Sequence, residues 1–240
     1  MAIYMLVHGG GHGGWCYQKV ARLLRAAGHE AYTPTLTGLG ERSHLLRPGI
    51  NLDLQITDIV NALVYEDLVD VILAGHSYGG MVITGVADRA PERIGHLVFL
   101  DAAFPEDGES LAELSPALLE EAHRQARIVD GVELVLFPDS DSVRHYGVSD
   151  PKDLAWMLGK LTPHPWACFS QRLHLQDEAA VKQLPRTIIN CTPTLQIRPK
   201  DTLERAFQAE RVWEIDTGHD LMITEPQKVT DMLLRLASIR

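Results

Sequence analysis

The stretch VILAGHSYGGMVITGVADR, residues 71–89, constrains this chain more than any other: an apolar run, a serine framed by glycines, then an apolar pattern with helical spacing. A strand that turns straight into a helix through G-x-S-x-G puts its serine on a sharp, strained corner, and the flanking glycines let the two backbones pass closely. Ser77 is therefore a candidate nucleophile. The helix that follows would aim the partial positive charge of its N-terminus at an oxyanion forming beside Ser77. The plainer reading is a strand-to-helix turn that merely contains a serine, but both flanks, VDVIL and YGGMVITGVADRA, fit the corner.

The same β-then-α rhythm recurs along the chain. Short apolar runs at residues 3–7, 71–74, 97–100, 187–191 and 212–215 lack polar alternation, as parallel strands covered on both faces do. Between them, Val20, Leu23, Leu24 and Ala27 form a helical stripe closed by Gly28, and Ile56, Ile59, Val60, Leu63 and Val64 form another. A last helix opens at TEPQ, with Pro226 suited to its first turn, and carries Val229, Leu233 and Leu236. Residues 103–185 interrupt the rhythm with Pro-rich, aromatic-bearing helical stretches. The expectation is an α/β core, residues 1–102 and 186–240, with a helical cap, residues 103–185, inserted before the penultimate strand. At 240 residues and 45% hydrophobic composition, one sizeable core is expected.

Charge and cysteine use narrow the partners. With 32 acidic against 22 basic residues, a net charge of -10 repels phosphate backbones and anionic lipid, so neither nucleic acid nor a membrane surface is an expected partner. No apolar run approaches the roughly 20 residues of a membrane span. Cys16, Cys168 and Cys191 are scattered without CxxC spacing, and no basic n-region precedes AIYMLVHGG, which leads us to expect a reduced, cytoplasmic protein.

A serine nucleophile needs oxyanion donors and a base. HGGGHGGW, residues 8–15, follows the first strand, where glycines leave backbone N–H groups open to a ligand. Gly10 N–H and Tyr78 N–H are the candidate donors. His8 and His12 are four apart, but that spacing aligns metal ligands on a helix, which these glycines disfavour. A phosphate loop lacks its Lys-Ser/Thr. No metal or cofactor is implied. For the base, WEIDTGHDLMITEPQ places His219 in the loop between the final strand and the last helix.

These motifs, with GHEAYTPTLTGLGERSHL and LVFLDAAFPEDGESL, give the chain a resemblance to the α/β-hydrolase superfamily. Within it the chain is most similar to plant methyl-ester esterases and hydroxynitrile lyases and their bacterial carboxylesterase relatives, some of which cleave pyrethroid-type esters. The resemblance implies a six-stranded, mostly parallel sheet flanked by helices, a small-molecule ester substrate and a homodimer. It also exposes a departure. The family's usual acid follows the strand after the cap, but here that segment reads CTPTLQIRP, with Leu195 where the carboxylate would stand. Some members place the acid one strand earlier, which points to Asp101 in LVFLDAAFP. Asp201 is the next candidate, and a missing acid the third.

The resulting expectation is an esterase working through an acyl-enzyme, with Ser77, His219 and Asp101 as the catalytic set. Phe104, Trp156, Met157, Trp166 and Phe169 supply a bulky apolar cap set that would roof an apolar or aromatic substrate. A hydroxynitrile lyase on this fold carries threonine and lysine where this chain has Gly9 and Asp220, which favours hydrolysis. A C–C bond hydrolase, a cofactor-free haloperoxidase and a non-catalytic ligand receptor are the other readings.

Overall fold

The computed structural model of the chain describes residues 1–139 and 141–239. In chain order, the strands begin with β1 (Ile3–Val7), β2 (Glu30–Tyr32), β3 (Val71–His76) and β4 (Ile94–Leu100). Between β4 and the rest of the core lie β5 (Arg127–Val129), β6 (Val132–Val135) and β7 (His164–Pro165), after which β8 (Arg186–Cys191) and β9 (Arg211–Ile215) return to it. Six of these strands form one parallel sheet in the order β2-β1-β3-β4-β8-β9.

Strand alternation divides the core into two layers. Met5, Val7, Leu73, Leu97 and Phe99 face helices Leu52–Tyr65 and Gly79–Arg89 through Ile56, Ile59, Leu63, Ile83 and Val86. Tyr4, Leu6, Ile72, Ala74 and Val98 face helices Gln18–Ala26 and Pro226–Ile239 through Val20, Leu24, Val229 and Leu233. Burial on both faces is why β1 and residues 71–74 of β3 are apolar. Each fully buried aliphatic side chain contributes about 1.5–3 kcal/mol of transfer free energy. Helix Leu52–Tyr65 starts where it does because the Asn51 side chain accepts from Leu54 N–H at 3.0 Å.

Two elements escape the periodicity. β2 is a three-residue edge strand with one buried position, too short to register as an apolar run. The cap contains the expected helices, among them Pro116–Arg124 and Pro151–Leu158, but also the antiparallel sheet β5-β6-β7. Its hairpin turns on Asp130 and Gly131, both at positive φ. Asp-Gly between IV and VELV is the local signal for such a turn, and it was present in the sequence. Among the described residues no helix is long and apolar enough to cross a membrane.

Candidate active site

The candidate residues converge on the carboxyl ends of the strands, where loops are free to vary over a rigid sheet. Ser77 follows the last residue of β3 and sits at φ 53°, the left-handed region, while remaining partly exposed. The corner holds because Gly75 and Gly79 touch: a Cβ on Gly75 would meet the Gly79 carbonyl oxygen at 2.6 Å. Two backbone bonds pin Ser77 to the neighbouring strand end, from its N–H to Leu100 O at 3.3 Å and from Ala103 N–H to its carbonyl at 2.9 Å.

Because β4 lies next to β3, its end brings Asp101 beside this corner. Asp101 is itself at φ 45° and 2% exposed, and its Oδ2 accepts from His219 Nδ1 at 2.5 Å. Its Oδ1 accepts from Thr194 Oγ1 at 2.6 Å, from Cys191 N–H at 3.2 Å and from the Arg198 guanidinium at 3.2 Å. Burial opposes ionising this carboxyl, but His219, Arg198 and Thr194 outweigh it and hold the pKa below the usual carboxylate range. Segment 191–198, which carries no acid of its own at Leu195, thus serves as a clamp on the acid of β4. Asp201 is exposed on the helix Lys200–Arg205.

The first loop completes the site. Gly10 packs so closely that an added Cβ would meet Leu136 Cδ1 and Phe169 Cζ at 2.9 Å. Among the described residues neither the Gly10 nor the Tyr78 N–H donates to a backbone carbonyl. The loop is held from behind: Gly10 O accepts from His12 Nδ1 at 2.8 Å and from Tyr146 Oη at 3.1 Å, and Gly11 N–H donates to His164 Nδ1 at 3.2 Å.

A model described as the "Alpha/beta hydrolase family" matches residues 5–232. The chain belongs to this family. The hydrolase is 36% identical over 249 residues to a carbendazim hydrolyzing esterase of Nocardioides sp. (strain SG-4G), covering 98% of this chain and 100% of that protein. It is 29% identical to Methylesterase 2 of Arabidopsis thaliana, covering 98% and 95%. A solved extracellular alpha/beta-hydrolase from a Paenibacillus species, described as sharing structural and functional homology with tobacco salicylic acid binding protein 2, superposes with a TM-score of 0.83. That pair is 26% identical, covering 98% of each chain. This hydrolase is an enzyme of the carboxylesterase type.

The cap aromatics of the hydrolase do not form one roof, which corrects the sequence expectation. Phe169 alone of the five abuts Gly10, and it also meets Tyr78 and His164 edge-on or tilted. Trp156 and Met157 belong to the opposite layer, Trp156 against Trp15 and Met157 fully buried near Leu161. Phe104 turns back onto Phe99, lining a cleft of about 370 Å³ with Arg186 and Arg205. Trp166 stacks on His123. Leu136, at φ 57° in the cap, escaped the sequence reading although it stands against Gly10.

Also unread in the sequence is a buried polar layer beneath the hydrolase site. His12 Nε2 meets Asp220 Oδ2 at 2.9 Å with both side chains fully buried, so both His12 ring nitrogens face oxygen acceptors. Burial works against charging His12, but the charge and hydrogen bond of Asp220 prevail and raise its pKa. His76 lies 3.8 Å from Asp220 Oδ1 and bonds His219 O at 3.0 Å. Spacing alone could not reveal a pair 208 residues apart.

His8, His76 and His164 are buried neutral, and this sets an acid limit on stability. His8 Nε2 accepts from Leu36 N–H at 3.0 Å, so protonation would break that bond. Burial, the largest cause, holds His8 and His76 down to about 3 and His164 well below its ordinary value. Unfolded, each titrates near about 6.5. Their folded values are depressed, so the native state is penalised as pH falls below about 6.5, where only the unfolded chain gains protons. His12 acts in the opposite sense, its contribution present below about 6.5 and lost as pH rises through its folded value. With His8, His76 and His164 set against His12, unfolding free energy is expected to fall between about pH 7 and pH 5. Each buried neutral histidine adds a slope approaching about 1.4 kcal/mol per pH unit. Urea titrations across that range measure it, and a constant midpoint would contradict the assignment.

Proposed function

We propose that this hydrolase cleaves carboxylic esters of small to medium apolar or aromatic substrates through an acyl-enzyme on Ser77. His219 takes the Ser77 proton as the hydroxyl attacks the ester carbonyl, and Gly10 and Tyr78 N–H groups receive the oxyanion. The imidazolium then gives its proton to the leaving alkoxide, and water, activated by the same imidazole, releases the acid. Asp101 fixes the tautomer, keeping the proton on Nδ1 so that Nε2 is free to act as base.

The observation that carries this reading is the 2.5 Å bond between His219 and Asp101, at the sheet end that also presents Ser77 in its left-handed corner. Phe169 and Leu136 against Gly10 add an apolar wall beside the proposed oxyanion site, which suits an apolar acyl group. The esterase names of the relatives point the same way. Lyase chemistry is disfavoured: a side chain at Gly9 would meet Ser77 Cβ at 2.9 Å, and Asp220 is committed to His12.

Turnover of p-nitrophenyl esters of increasing acyl length, with methyl esters of aromatic acids alongside, tests the reaction. Covalent labelling by a serine-directed phosphonate, mapped to Ser77 by peptide mass spectrometry, tests the nucleophile. Turnover with labelling at Ser77 is expected. Ligand binding with neither result would replace the esterase reading with a receptor.

A further inference from the structure

Two carboxylates flank His219, and each has its own cation. Asp101, after β4, bonds the imidazole directly and carries Arg198 on its far oxygen. Asp220, in the loop of His219, carries His12. Other groups around His219 include His76 at the end of β3, with ring centroids 4.6 Å apart, His145 of the cap at 5.7 Å, and Cys191 at the end of β8, whose Sγ bonds Gly218 O at 3.2 Å. Burial keeps His76 neutral and pushes the Cys191 thiol up. The Asp220 charge is therefore answered from behind by a partner fully removed from solvent. The Asp101 charge is answered by Arg198, whose side chain is only 15% exposed.

Arg198 also has a geometric role. Its guanidinium reaches Asp101 Oδ1 at 3.2 Å and Ala102 O at 3.4 Å, so it grips both the side chain and the backbone of the strand end. Together with Thr194 and Cys191 N–H it occupies the Oδ1 side, which leaves Oδ2 to His219. We propose that Arg198 is a positioning residue that holds Asp101 for His219 and sets the acid edge of the activity profile. The proposal rests on His219 acting as the base described above. A cation behind the acid offsets part of the carboxylate charge that the imidazole feels, so its removal is expected to show in the acid limb of the pH profile.

The test is the pH dependence of kcat/KM on a p-nitrophenyl ester for the wild type, Arg198→Met and Arg198→Lys. Removing the cation eases protonation of His219, so the acid limb of Arg198→Met is expected to move alkaline by about one pH unit. On that limb its rate falls about tenfold relative to wild type, with the plateau less affected. Arg198→Lys keeps the charge and is expected to keep the wild-type limb while losing part of kcat. Titration of the low-field proton in the His219–Asp101 bond, followed without substrate, is expected to show the same displacement. An active Arg198→Met enzyme with an unmoved or acid-shifted limb overturns the role of Arg198 and leaves the esterase reading standing. A wild type that turns over no ester overturns both.

Discussion

Replacing Ser77 with alanine is expected to remove nearly all ester turnover and to leave the fold unchanged. The hydroxyl is the proposed attacking atom, and without it only binding and the oxyanion donors continue to act. In serine hydrolases generally, losing the nucleophile costs on the order of 10⁴- to 10⁶-fold in kcat. Structure should be spared because Ser and Ala share a Cβ, so the left-handed backbone at φ 53° carries the same strain in both. The serine is partly exposed, and its backbone is held by Leu100 and Ala103 whichever side chain it bears. Burst kinetics and thermal melts check the two halves separately. Substantial residual turnover in a folded variant would show that another group attacks.

Asp101→Asn is expected to be nearly as damaging, for a reason particular to this site. Thr194, Cys191 N–H and Arg198 all donate toward Oδ1. An asparagine there must turn its carbonyl oxygen to those donors, which points its NH₂ at His219 Nδ1. That nitrogen must then accept, leaving the proton on Nε2, where it cannot take one from Ser77. A wrong tautomer of this kind lowers kcat by on the order of 10⁴-fold. Asp201→Asn, on an exposed helix, should leave kcat/KM at the wild-type value. The reverse pattern, a near wild-type Asp101→Asn and a crippled Asp201→Asn, would place the acid after β8 instead.

Much of this architecture was written locally. Largely apolar runs mark β1, β3, β4 and β8 because the parallel sheet buries these strands on both faces, whereas β9 is an edge strand with Glu214 exposed. The corner at Ser77 is equally local, since only closely spaced glycines permit the 2.6 Å approach that a Cβ at Gly75 would make to Gly79 O. The position of His219 follows from chain order alone, after the last strand and before the last helix. So does the interruption between β4 and β8, although its Asp-Gly hairpin is a local signal that the apolar runs concealed.

Tertiary structure decided what depends on neighbours distant in sequence. Asp101 and Asp201 are both aspartates in segments that follow core strands, and only the strand order β3-β4-β8 sets the first against His219, 118 residues away. The clamp of Thr194 and Arg198 on Asp101, and the pair of His12 with Asp220, arise the same way. The cap aromatics make the complementary point. Composition identifies Phe104, Trp156, Met157, Trp166 and Phe169 as apolar bulk, but hydrophobic attraction has no direction. Which layer each side chain joins was settled by tertiary packing, which sent Met157 to one layer and Phe169 to the other.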